Sequence, residues 1–184
     1  MQPWYNSRKA AQIAAFFAIR EGGRIPVLKA VKLIYLSERR FMSDFDSSML
    51  RDQLVSMEHG PVNSITLNQI NGLTDDQASW KEFVTDREDH CFSVRSSDLS
   101  IAHLDELSRA ELRTLENTWA EFGHMDQWQI RDYTHDNCPE WEDPDFSSQP
   151  IPYSRVFKFL GKPDPEELEK KVIRERTLDS IFNT

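Results

Sequence analysis

Two runs of helical apolar periodicity are separated by Gly22-Gly23 and Pro26, and this punctuation forces two helices where one would otherwise continue. In the first, from about Ser7 to Glu21, Ala10, Ile13, Ala14 and Phe17 recur at helical spacing and form one apolar stripe. Glycine closes a helix by taking the left-handed conformation, and proline suits the first turn of the next. In the second helix, Val27, Val31, Ile34 and Tyr35 are predicted to be buried. Lys29, Lys32, Glu38, Arg39 and Arg40 are predicted to face water. A joint of so few residues makes the two helices packing neighbours.

Further along, His59-Gly60-Pro61-Val62 reads as a turn followed by a helix start, with Ile65, Leu67 and Ile70 as a short apolar pattern closed by Gly72. Phe83-Val84 and Cys91-Phe92-Ser93-Val94 are β-prone runs that predict a small hairpin near residues 82–95, without an Asn-Gly or Asp-Gly turn. Ser108-Arg109-Ala110-Glu111 is a capping box, followed by Leu112, Leu115, Trp119 and Phe122 on one helical face and closed by Gly123. Met125 to Thr134 reads as another helix, and the proline-rich, acidic stretch from Asp136 to Pro152 as an irregular loop. Asp164-Pro165-Glu166-Glu167 starts a last helix, whose acidic first turn and later Lys170, Lys171, Arg174 and Arg176 suit the helix dipole.

These elements predict a mostly α (α+β) protein, a compact multi-helix domain over residues 1–150 carrying the small hairpin. Residues 151–184 form a C-terminal extension with a capped, charged helix. The 39% hydrophobic content and five Trp with eleven Phe exclude global disorder. A net charge of −9 argues against a polyanion as the main partner and is compatible with a basic protein. Cys91 and Cys138 make no disulfide framework, the N-terminus has no signal-peptide pattern, and the Ala10–Ile19 stretch is too short to span a bilayer. A cytoplasmic location is expected.

Chemistry-bearing clusters are sparse. His90-Cys91 and His135-Asp136-Asn137-Cys138 together offer two imidazoles and two thiolates, a donor set that zinc accepts. Adjacent His-Cys is an unusual ligand spacing, however, and neither half is a CxxC. We therefore expect no metal, with Cys91 a small buried hydrophobe in a strand and His135 a capping or hydrogen-bonding residue. No GxSxG-like signature accompanies a nucleophile, and Gly22-Gly23 lacks the context of a phosphate-binding loop. Glu140, Glu142, Asp143 and Asp145 lack the alternating spacing and glycine of a calcium loop, and read as solvated. Arg8, Lys9, Arg24, Lys29, Lys32, Arg39 and Arg40 make the start of the chain locally basic, faintly like a DNA-reading helix pair. The plainer reading is two charged helix faces, paired in the fold with the acidic 140–145 loop.

The order of motifs adds to this. An alanine-rich first helix leads to Leu28-Lys29-Ala30-Val31-Lys32-Leu33-Ile34-Tyr35-Leu36, then Gly60-Pro61-Val62, then Tyr133-Thr134-His135 with Pro139 and Trp141 just after. From about Ser7 to Trp141 the chain resembles the Panacea-domain family, typified by SocA-type antitoxins of bacterial and prophage toxin–antitoxin pairs. The residues carrying the resemblance include Lys32, Tyr35, Gly60, Pro61, Val62, Thr134, His135 and Trp141. The resemblance implies a mostly helical antitoxin that neutralises a cognate protein toxin by direct contact. It implies no enzyme activity and no cofactor. Because such domains pair with unrelated toxins, the shared residues should build the scaffold, with Gly60 in a conformation that other residues resist, Pro61 presetting the following helix and His135 hydrogen-bonded to the turn. A regulator or protease adaptor acting through protein or DNA binding is the alternative. Beyond the resemblance, Tyr153, Val156, Phe157, Phe159 and Leu160 have the spacing of a helix that lays one face in a groove, and are the candidate toxin interface; the alternative is that the same face closes the domain's own core.

Overall fold

The structure, a computed structural model, describes residues 2–182. Helix α1 (Ser7–Arg20) is capped by Asn6, whose side chain accepts the Lys9 amide, and ends where Gly22 and Gly23 take positive φ. It runs through the middle of the core: every residue from Ala10 to Ala18 is buried, Gln12 included. The single apolar stripe read from the sequence understates it. Five alanines let neighbours approach from all sides, while Phe16 and Phe17 fill the volume between them in an edge-to-face pair.

Strand β1 (Arg24–Pro26) separates α1 from α2 (Val27–Phe45), and Pro26 is the N-cap of α2. The second helix also runs through the core, touching α1 on one side and later elements on the others. Here the sequence reading is corrected: Lys29 is 4% exposed, and Lys32 and Glu38 are fully buried. Each head group is met by groups from elsewhere in the chain. Lys29 Nζ donates to Glu21 Oε2 at 2.5 Å and to the Gly123 carbonyl at 2.9 Å. The Glu38 carboxylate accepts from the Ser48 hydroxyl and from the Met49 and Leu50 amides, closing the turn after α2.

Strands β2 (Leu54–Met57) and β3 (Gly60–Asn63) form an antiparallel hairpin, and α3 (Ser64–Ile70) follows. The Gly-Pro-Val segment is thus a strand, and the helix starts two residues later than the sequence suggests. Asn63 gives α3 no side-chain cap. Buried Asp52 supplies one instead, accepting from the Ile65 amide, the Thr66 amide and the Thr66 hydroxyl at 2.6–2.9 Å. Burial pushes its carboxyl up to about 6, against the pull of these bonds.

The short helix α4 (Ala78–Lys81) buries Trp80, and β4 (Cys91–Ser93) follows, in which Phe92 is buried while Cys91, expected inside, is only partly covered. The expected hairpin is present as isolated bridges, Val84 to Val94 and Glu88 to Cys91. The main partner of β4, however, is distant β1, with Ile25 opposite Phe92 and both buried. Asp89 and His90 form the tip of the turn with φ 48° and 58°. This is the left-handed pair that Asn-Gly usually provides, which is why the turn signal is weak.

Helix α5 (Arg109–Phe122) carries the predicted capping box, and α6 (Gln127–Asn137) is capped by Asp126. After the loop, β5 (Gln149–Pro150) adds to β2, giving the order β3-β2-β5. Helices α7 (Tyr153–Phe159) and α8 (Pro165–Phe182) pack on each other. Tyr153, Val156 and Phe157 are buried in the core, while Phe159 is 47% exposed. The Tyr153 hydroxyl donates to the Asp52 carbonyl at 2.6 Å, and Arg176 donates to the Arg51 and Asp52 carbonyls, with its guanidinium over Trp4 and Tyr153. No helix is long and apolar enough to cross a membrane among the described residues.

Candidate functional site

Lys32, Tyr35 and Arg39 follow at helical spacing along α2, so they line one stripe. The segment after α6 returns Glu140 beneath that stripe. The fully buried Glu140 Oε1 accepts from the Tyr35 hydroxyl and from Arg39 Nε, both at 2.8 Å. Read from sequence as part of a solvated acidic loop, Glu140 is an internal ion-pair partner. Nothing in the local pattern separates it from Glu142 or Asp143, which are exposed. The remaining basic residues of α1 and α2 are matched mainly by α5 and the segment before it: Arg8 with Glu82 and Asp105, Lys9 with Glu111, Arg20 with Glu116, and Arg40 with Glu121.

The other shared motifs close on the same place. Lys32 Nζ donates to the Pro61 carbonyl at 2.8 Å. Gly60 has φ +94°, and a Cβ there would lie 2.8 Å from Thr134 Oγ1 and 3.0 Å from both His135 Cδ2 and Lys32 Nζ. Three elements therefore meet where only a hydrogen fits. Thr134 turns its hydroxyl back to the Arg131 carbonyl. His135 stacks flat on Trp141, with centroids 4.2 Å apart and planes 4° from parallel. Trp141 Nε1 donates to the Met57 carbonyl at 2.9 Å. The tie between the hairpin and α6 is thus made by stacking and the Trp141 indole, not by the histidine hydrogen bonds that the sequence suggested.

Burial lowers Lys32 from its ordinary 10.5 to about 7, with nearby Cys138 opposing the shift. Burial also raises the Cys138 thiol to about 12 and lowers His135. Between about pH 7 and 10.5 the unfolded chain holds a proton that the folded chain does not, so stability rises with pH across that window. We expect the urea midpoint to rise from about pH 7.5 to about pH 9, by on the order of 1 kcal/mol per pH unit, and Lys32→Met to flatten the rise. Equal slopes in the two proteins would show that Lys32 stays charged in the fold.

A cleft of about 750 Å³ lies against this cluster and shares Lys32 and Gly60 with it. Its apolar lining comes from Leu28 and Val31 on α2, Met57 and Val62 on the hairpin, Leu67 on α3 and Trp128 at the start of α6. Glu58, His59, Arg87, Asp89 and His90 also line it, all of them exposed. Sequence reasoning does not find this cleft, because it is assembled from five separate segments. The two His-Cys pairs do not converge: no group of three His, Cys, Asp or Glu is placed to hold a metal ion among the described residues.

The motif residues Lys32, Tyr35, Gly60, Pro61, Val62, Thr134, His135 and Trp141 are thus gathered around one contact between α2, the β2–β3 hairpin and α6. Residues 31–142, more than half of the chain, match the model of the family described as antitoxin SocA-like, Panacea domain. The chain belongs to that family. No curated protein and no solved structure gives a significant match. The Panacea match begins inside α2 and ends just after Trp141, so it spans the whole Lys32–Gly60–Trp141 contact. It is shorter than the resemblance read from Ser7 and leaves out α1, although α1 fills the middle of the core.

Proposed function

We propose that this protein is an antitoxin that neutralises a cognate protein toxin by direct binding, without catalysing a reaction. Membership of the SocA-like Panacea family carries this reading. Two physical observations support it. The net charge of −9 suits a basic protein partner, and the cations of α1 and α2 other than buried Lys32 are already matched by carboxylates of the same chain, which favours protein over DNA. On the C-terminal helices, Phe159 and part of Leu160 remain at the surface for a toxin, whereas Tyr153, Val156 and Phe157 serve the core.

Co-expression with the product of the adjacent gene tests the proposal. The neighbour alone should arrest growth, and this protein should restore it and co-purify with the neighbour. A harmless neighbour, or arrest that persists, removes the antitoxin reading. In the same assay, Phe159→Asp should weaken rescue while leaving the fold intact; undiminished rescue would place the interface elsewhere.

A further inference from the structure

Helix α8 is joined to the molecule differently from the helices of the core. It has 18 residues, yet among the described residues Val172 is its one fully buried side chain, with Leu168 partly covered. Ile173 and Leu178 stand 49% and 54% exposed. Its apolar residues are therefore split between two faces, and only one of those faces meets the body. A helix of this length is marginal in water by itself, so its order depends on what holds it down.

Most of what holds it is polar, and is directed at the turn after α2. Lys171 Nζ donates to the Asp46 carbonyl at 3.0 Å, and Arg176 donates to the Arg51 and Asp52 carbonyls at 2.9 and 2.6 Å. The Ser47 hydroxyl donates to Glu175, and Arg51 pairs with Glu175 and Asp179. Those ion-paired side chains remain a quarter or so in solvent, where such pairs add little. The docked arrangement also leaves Trp4 Nε1 and Arg51 Nε buried without a hydrogen-bond partner among the described residues, which opposes closure. The Arg176 guanidinium lies over the Trp4 and Tyr153 rings, 5.4 and 5.2 Å from their centroids.

The joint before α8 is free to turn. Gly161 has φ +72°, and a Cβ there would meet nothing within 4 Å. On the near side of the joint, Tyr153, Val156 and Phe157 keep α7 in the core.

We infer that α8 is a strap that leaves the body as one unit while α1 to α7 stay folded, and that its release uncovers the Trp4–Tyr153 face. The joint at Gly161 is the hinge, and Arg176 is the latch. This holds whether or not the protein neutralises a toxin.

Hydrogen exchange of the full chain, read by mass spectrometry, tests the strap. Amides of α8 should exchange about 100-fold or more faster than those of α1 and α2. Urea below the unfolding transition should speed them evenly along the helix, because a unit exposes surface as it opens. Arg176→Met should speed α8 by about a further tenfold, leave α1 and α2 unchanged, and raise hydroxyl-radical labelling of Tyr153 in step. Rates in α8 as slow as those in α1 and α2 would overturn the inference. So would a gradient of rates from the C-terminal end inward that ignores urea, which is fraying. Equal acceleration of all helices by Arg176→Met, or Tyr153 labelling that stays constant as α8 opens, would overturn it too. If Arg176→Met does not fold, the wild-type rates and their response to urea still decide.

Discussion

Glu140→Ala is expected to destabilise the protein by about 3 kcal/mol or more, with the loss read from urea denaturation. The carboxylate is fully buried and is the acceptor for both the Tyr35 hydroxyl and Arg39 Nε. Removing it leaves a buried hydroxyl without a partner and a guanidinium facing an apolar hole. Arg39 keeps 23% of its side chain in solvent, which relieves part of the charge penalty and places the expected loss at the low end of the range for buried pairs. Glu140→Gln retains the acceptor oxygen but loses the charge, so its loss should be smaller. If alanine costs under about 1 kcal/mol, the pair is replaceable by water and does not organise the site.

Gly60→Ala should cost about 3 kcal/mol, from two separable sources. The first is conformational: φ +94° strains any residue with a Cβ, by about 1–2 kcal/mol. The second is steric: the new methyl meets Thr134 Oγ1 at 2.8 Å and His135 Cδ2 at 3.0 Å, which overpacks the contact by about 1–3 kcal/mol. Gly22 is the control. It has nearly the same φ, +93°, but a Cβ there would meet nothing within 4 Å, so Gly22→Ala should show the conformational loss alone. Equal losses at the two positions in thermal or urea denaturation would mean that the close approach at Gly60 relaxes at no cost.

The sequence already carries the helices with strong local signals. Gly22-Gly23 closes α1, the Ser108–Glu111 box starts α5, and Leu115 and Phe122 point inward as their spacing requires. These features are legible because caps and periodicity act within one or two turns of chain. The family motifs were legible too, as an ordered series, although their meeting at Gly60 was not.

Tertiary structure alone decided which charges are inside. Periodicity assigns Lys29, Lys32 and Glu38 to water because an isolated helix gives them no partner. In the fold their partners are the Gly123 carbonyl, the Pro61 carbonyl and the Met49 and Leu50 amides, brought from other segments. The β1–β4 pair is equally non-local, joining three-residue strands more than sixty positions apart. The Glu88–Cys91 turn adopts left-handed geometry with Asp-His because the surrounding ladder holds it there. Burial of a charge and pairing of a short strand depend on what the rest of the chain places opposite. That is a property of the packed molecule, and no local window of the sequence contains it.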